Sequence, residues 1–218
     1  MSAQYRWIPV ALLALVAALV VRHTDARIQV ARGPHLTKEI RDAGLTFDPS
    51  VAAADRQLVE REIAGARPEA QRLIAIVDGL VTIHVGPATG GGADAVGLTA
   101  GSPKGFDVTL DLATVWQEDG ERGVQRLVLH ELGHVVDAVL VKPDLAARLD
   151  AQIPASYGCD PQQPDIGCAP RAERFAETFA KWCTGDIGFN LPIGYKVAPP
   201  LSLDKWGAQL VSGVDAAA

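Results

Sequence analysis

Apolar positions recur with the period of an α-helix over residues 125–141. Val128, Leu129, Leu132, Val135, Val136, Val139 and Leu140 fall on one broad arc, and His130, His134 and Asp137 form the opposite front. Gly133 interrupts this stretch. Glycine costs a helix about 1 kcal/mol against alanine, so its presence predicts that another element approaches closely there. A second helical pattern covers 173–182. Here Glu173, Glu177 and Ala180 share one face and Phe175, Phe179 and Trp182 the other, with Pro170 suited to the first turn and Gly185 to the stop.

The remaining pattern alternates short strands with helices. Residues 48–78 read as mostly helical with an interruption at 65–68, 80–85 as a short apolar strand, and 95–99 with 106–112 as a hairpin around 101–105. In its second strand Phe106, Val108, Leu110 and Leu112 alternate with Asp107, Thr109 and Asp111, so one face is core and the other wet. A short helix is expected over 144–152 and a terminal one over 201–211. The glycines at 90–92 follow Thr89 without the Gly-Lys-Ser/Thr ending of a phosphate loop and read as a turn. These elements predict one α+β domain spanning 48–218, preceded by a connector, 27–47.

The first 26 residues differ from the rest. Residues 7–21 are apolar apart from Pro9 and follow Arg6, a run short for a membrane span and of the right length for a signal-peptide core. Cleavage after Ala26 and retention as an N-terminal membrane anchor are both compatible with it, and both place the rest of the chain outside the cytoplasm. Cys159 and Cys168 bracket a loop rich in Pro, Asp and Gln that a disulfide would staple, consistent with export. Cys183 is left over and reads as a buried thiol. A formal net charge of −6 with no basic cluster gives no electrostatic footprint for nucleic acid. No feature requires an obligate protein partner.

The candidate chemistry lies in His130-Glu131-Leu132-Gly133-His134. Four residues is slightly more than one helical turn, so both imidazoles leave one face and can grip one ion. The intervening carboxylate, Glu131, is placed to take a proton from a water at that ion, which is the H-E-x-x-H arrangement of zinc hydrolases. Three protein ligands and an open position make a catalytic zinc site. His23 and His35 lie in the N-terminal part, and His84 ends a strand, where a hydrogen-bonded structural role suits it. The third ligand is better sought on the second helix, where one of Glu173 and Glu177 can ligate and the other can hold a ligand imidazole through its free ring nitrogen. The competing reading makes that face solvated, with Glu177 paired to Lys181 at i,i+4. Asp186 is the runner-up ligand.

The segments HELGHVVDAVL and ERFAETFAKW resemble the zinc site of the gluzincin metallopeptidases, closest to the catalytic domain of anthrax lethal factor and its bacterial relatives. The likeness covers about 95–185. It implies a zincin-like fold in which a small mixed or antiparallel sheet packs on the HExxH helix and a second helix carries the glutamate ligand. It also implies one zinc ion per chain held by His130, His134 and Glu173, with Glu131 as general base and Glu177 as the acid behind a ligand. Asp137 would be a further supporting acid, with a buried helix-packing role equally open. A strand of this region would border the cleft and pair with an extended peptide or protein substrate.

The family's transition-state tyrosine has no counterpart at Ile166, where it would be sought, and Tyr157 and Tyr195 are the candidates. Metzincins fit worse, because Asp137 and Leu140 stand where their Gly and His would be and Met1 is the only methionine. The expectation is a secreted or membrane-anchored zinc metalloendopeptidase. Its rivals are an exported zinc-binding protein without peptidase activity and a membrane-tethered interaction domain.

Overall fold

Asp111 switches the chain from strand to helix. Its carboxylate accepts from Thr114 N at 3.1 Å and from the Thr114 hydroxyl at 2.9 Å, an N-cap that satisfies a first-turn amide. The strand expected over 106–112 therefore ends at Leu110, and a helical stretch starts at Leu112, well before residue 125. This computed structural model describes residues 44–89, 95–154, 169–189 and 197–217. The 1–26 segment, the Cys159–Cys168 loop, Tyr157 and Tyr195 lie outside the described residues.

Among these residues the protein is a mixed α+β structure with a four-stranded mixed sheet and six α-helices. Strand β1 (Thr46–Phe47) precedes α1 (Ala53–Ala64) and α2 (Pro68–Val77); a 3₁₀ turn (Asp78–Leu80) leads into β2 (Val81–Val85). Strands β3 (Gly97–Ser102) and β4 (Gly105–Leu110) follow, then α3 (Leu112–Leu140), α4 (Pro143–Asp150), α5 (Arg171–Thr184) and α6 (Leu203–Asp215). The sheet order is β1-β2-β4-β3, with β1 and β4 parallel to β2 and β3 antiparallel to β4, which leaves β3 at an edge. Thr46 and Phe47, assigned from sequence to the connector, pair with Thr82 and Ile83. The expected 101–105 loop closes to a two-residue turn, because Ser102 pairs with Gly105 across Pro103 and Lys104.

Helix α3 is broken at Gly120, whose φ of 64° and ψ of −155° are open essentially only to glycine. The helix packs along α5 and also meets α1, α2, β3 and β4. Gly133 marks the closest approach: a Cβ there would lie 3.1 Å from Ala176 Cα and from Phe179 Cδ1. The aromatic back of α5 is anchored as its spacing predicts, with Phe175, Phe179 and Trp182 all buried. Phe175 stacks on Phe179 with ring centroids 6.2 Å apart, and Trp206 of α6 meets Phe175 at 5.4 Å and Trp182 at 6.3 Å. Each such side chain contributes about 1.5–3 kcal/mol by burial. Gly185 ends α5 in the left-handed conformation, φ 72°. Among the described residues no helix is long and apolar enough to cross a membrane.

Candidate metal centre

The close packing of α3 on α5 brings the two histidines of one helix against the acids of the other. His130 Nε2 lies 3.1 Å from Glu173 Oε2, and His134 Nε2 lies 3.5 Å from Glu173 Oε1. The imidazoles stand edge to face, 4.9 Å between centroids. One ligand atom from each of His130, His134 and Glu173 falls within 4.8 Å of the others, so this group could hold a metal ion. The donor chemistry fits: two imidazole nitrogens and a carboxylate converge on one point, and each side chain is only partly buried, leaving access. Burial works against charge on His130, but hydrogen bonding to Glu173 and Glu177 holds the ring up at about 10. Burial alone would raise Glu173; hydrogen bonds from both histidines instead hold it well below the usual carboxylate range. Without an ion, protons shared with Glu173 hold the cluster together.

Glu177 lies behind His130. Its Oε2 is 3.3 Å from His130 Nδ1, the ring nitrogen turned away from Glu173. Burial opposes its ionisation, yet the His130 hydrogen bond and the nearby charges of Arg126 and Lys181 keep its carboxyl below the ordinary range. The i,i+4 pair of Glu177 with Lys181 does form, at 3.3 Å, but Lys181 is fully buried, so this face of α5 is not the solvated one weighed from sequence.

Glu131 is buried under the edge strand. Thr99 Oγ1 donates to its Oε2 at 2.7 Å, and a Cβ on Gly97 would overlap its Oε1. Only a glycine in β3 leaves room for that carboxylate. Asp137 faces Arg171, the first residue of α5, through a forked contact of 2.6 and 3.0 Å to Oδ1 and 2.6 Å to Oδ2. Burial pushes its carboxyl up to about 6 against the pull of Arg171 and His134. It ties α3 to the start of α5 and is not among the three grouped donors. Asp186 is drawn elsewhere: both its oxygens bond Arg122, at 2.7 and 2.8 Å, so the runner-up ligand is spent on an ion pair. His84 lies 3.1 Å from Asp107 on the neighbouring strand, as befits a structural histidine. Cys183 is a free, buried thiol, with burial raising it far above its ordinary value.

Sequence reasoning did not single out Thr99, Gly97 or Arg126, and it gave Lys181 only a surface role. A signal existed for two of them. Arg126 is four residues before His130 and so shares its face, and Lys181 is four after Glu177 and shares the face of the residue it pairs with. The strand residues carried none, because the register that sets β3 over Glu131 is a tertiary fact. In comparisons with protein-family models, curated proteins and solved structures, none matches this chain.

Proposed function

We propose that this chain is a zinc-dependent metalloendopeptidase of the gluzincin kind, with a zincin-like fold built around α3, α5 and the β3 edge. The observation that carries this reading is the convergence of His130, His134 and Glu173, with Glu131 following His130 in the same helix. A metal-binding protein needs the donors alone. An acid next to the first histidine, held by its own hydroxyl donor, adds the proton acceptor that hydrolysis requires.

A zinc ion held by these donors would lower the pKa of a water to about 7 and polarise a scissile carbonyl. Glu131 takes the proton of the attacking water and passes it to the leaving amine. Thr99 fixes the carboxylate for both transfers. Glu177 accepts a hydrogen bond from Nδ1–H of His130 and so keeps the Nε2 lone pair free for the ion. Strand β3 is last in the sheet order, and its outer edge offers main-chain groups to an extended peptide lying past Glu131. The substrate in this reading is a peptide or protein outside the cytoplasm, reached by an exported or membrane-anchored enzyme; nucleic acid has no place in it.

The test is metal analysis of the purified full chain together with a cleavage profile on a proteome-derived peptide library. Stoichiometric zinc and cleavage that Glu131→Gln abolishes are expected. Zinc with no cleavage of any peptide would make the protein a zinc binder without peptidase activity. Absence of metal would leave an interaction domain.

A further inference from the structure

Glu177 Oε1, the oxygen not used by His130, lies between two buried cations. Lys181 Nζ is 3.3 Å away and Arg126 NH1 is 3.5 Å away. Both cations are nearly inaccessible, 0% and 3% exposed. Burial works against charge on each and lowers both below their ordinary values. Glu177 is the nearer carboxylate to both and Asp186 adds a weaker pull on each, yet methionine or leucine would fill the same space without removing charge from water. Main-chain carbonyls fix both cations in place: Arg126 NH2 donates to Asp186 O and, at 3.1 Å, to Phe189 O, and Lys181 Nζ donates to Val197 O. Phe189 covers the Arg126 guanidinium at 6.0 Å from its ring centroid. The carboxylate therefore has one oxygen at ion-pair distance from two cations that main-chain carbonyls hold, and the other at an imidazole.

We infer that Arg126 and Lys181 are positioning residues of the metal centre: they hold Oε1 of Glu177 so that Oε2 stays on His130 Nδ1 and Nε2 of that ring stays directed at the ion. The inference rests on the zinc reading above. Without the grip, Glu177 is free to turn, His130 loses its fixed tautomer, and Glu177 becomes a competitor for the ion in place of a support. Both cations act through Glu177, which a purely structural role would not require.

The experiment is a double-mutant cycle on zinc affinity, measured on the full chain by competition with a chromophoric chelator, alongside melting of the metal-free proteins. Lys181→Met and Arg126→Met are each expected to weaken zinc binding by about tenfold, the lower end of the range for outer partners of a ligand. In a Glu177→Gln background the same substitutions are expected to leave affinity almost unchanged, and Lys181→Arg is expected to recover most of the loss. Where a methionine variant does not fold, Arg126→Lys keeps charge and stem and enters the same cycle, with a smaller loss that again needs Glu177. Zinc affinity unchanged by these variants overturns the inference, and so does an equal loss in both backgrounds. A wild-type chain that takes up no zinc overturns the metal reading and the inference with it, a result distinct from either of those.

Discussion

Helix α5 has two faces that are buried almost alike and held in unlike ways. Phe175, Phe179 and Trp182 lie in the core, where each adds stability by leaving water and asks only for close packing. Glu177 and Lys181 are as deeply buried on the other face, where burial opposes their charges. They are tolerated there because each has a partner at ion-pair distance and because α3 supplies His130 and Arg126. The apolar face explains why α5 stays in place. Burial opposes the charges of the second face, and the zinc reading proposed above gives them a use in holding His130.

Breaking the charged face at its ligand gives the largest effect. His130→Ala should leave a folded protein without stoichiometric zinc, read by metal analysis, because two donors no longer close the site. Glu131→Gln should keep the zinc and lower peptide hydrolysis by about 10²–10⁴, the usual worth of a general base. Zinc loss in this variant would show that Glu131 supports the site itself. The apolar face is tested by Phe179→Ala, which should cost about 3–5 kcal/mol in denaturant unfolding while the protein that remains folded still binds zinc. Loss of zinc in the folded fraction would erase the distinction between the faces. Thr99→Val should remove a hydrogen bond to a charged group worth about 1.5–3 kcal/mol and slow hydrolysis accordingly, with zinc content unchanged.

The smallest effect per step is that of pH. His130 is held at about 10 against an ordinary 6.5, so on the proposed reading a zinc ion would displace its Nε2 proton, and affinity should rise about tenfold per pH unit below that value. In the metal-free protein the raised imidazole contributes stability that is complete below 6.5 and lost as pH climbs through about 10. The depressed Glu173 contributes stability present above its ordinary 4.5 and lost in acid. Thermal melting of metal-free protein across pH should show a decline on both sides, and a flat alkaline limb would place His130 outside the cluster.

The legible part of the molecule is the part governed by spacing along one helix. His130 and His134 on a common face, Gly133 as the point of close approach and the aromatic back of α5 all follow from the helical period. The misread elements lie where a capping side chain competes with a strand pattern. Asp111 continues the alternation of β4, yet its carboxylate is spent on Thr114 and begins α3. The burial of Lys181 is hidden for a related reason: an i,i+4 pair looks the same in sequence whether it faces solvent or lies beneath another helix.

Spacing along the chain decides which residues could share a face, because the helical period is a local property of the backbone. It therefore carried the two histidines, the acid between them and two candidate acids on a second helix. The tertiary structure alone decided which acid meets which nitrogen. Glu173 reaches both Nε2 atoms and Glu177 takes Nδ1 because α5 crosses α3 at Gly133, and Asp186 drops out because Arg122 holds it. Edge strand β3 likewise comes to lie over Glu131 only through its pairing with β4. Distances between elements depend on packing, and packing depends on the whole chain.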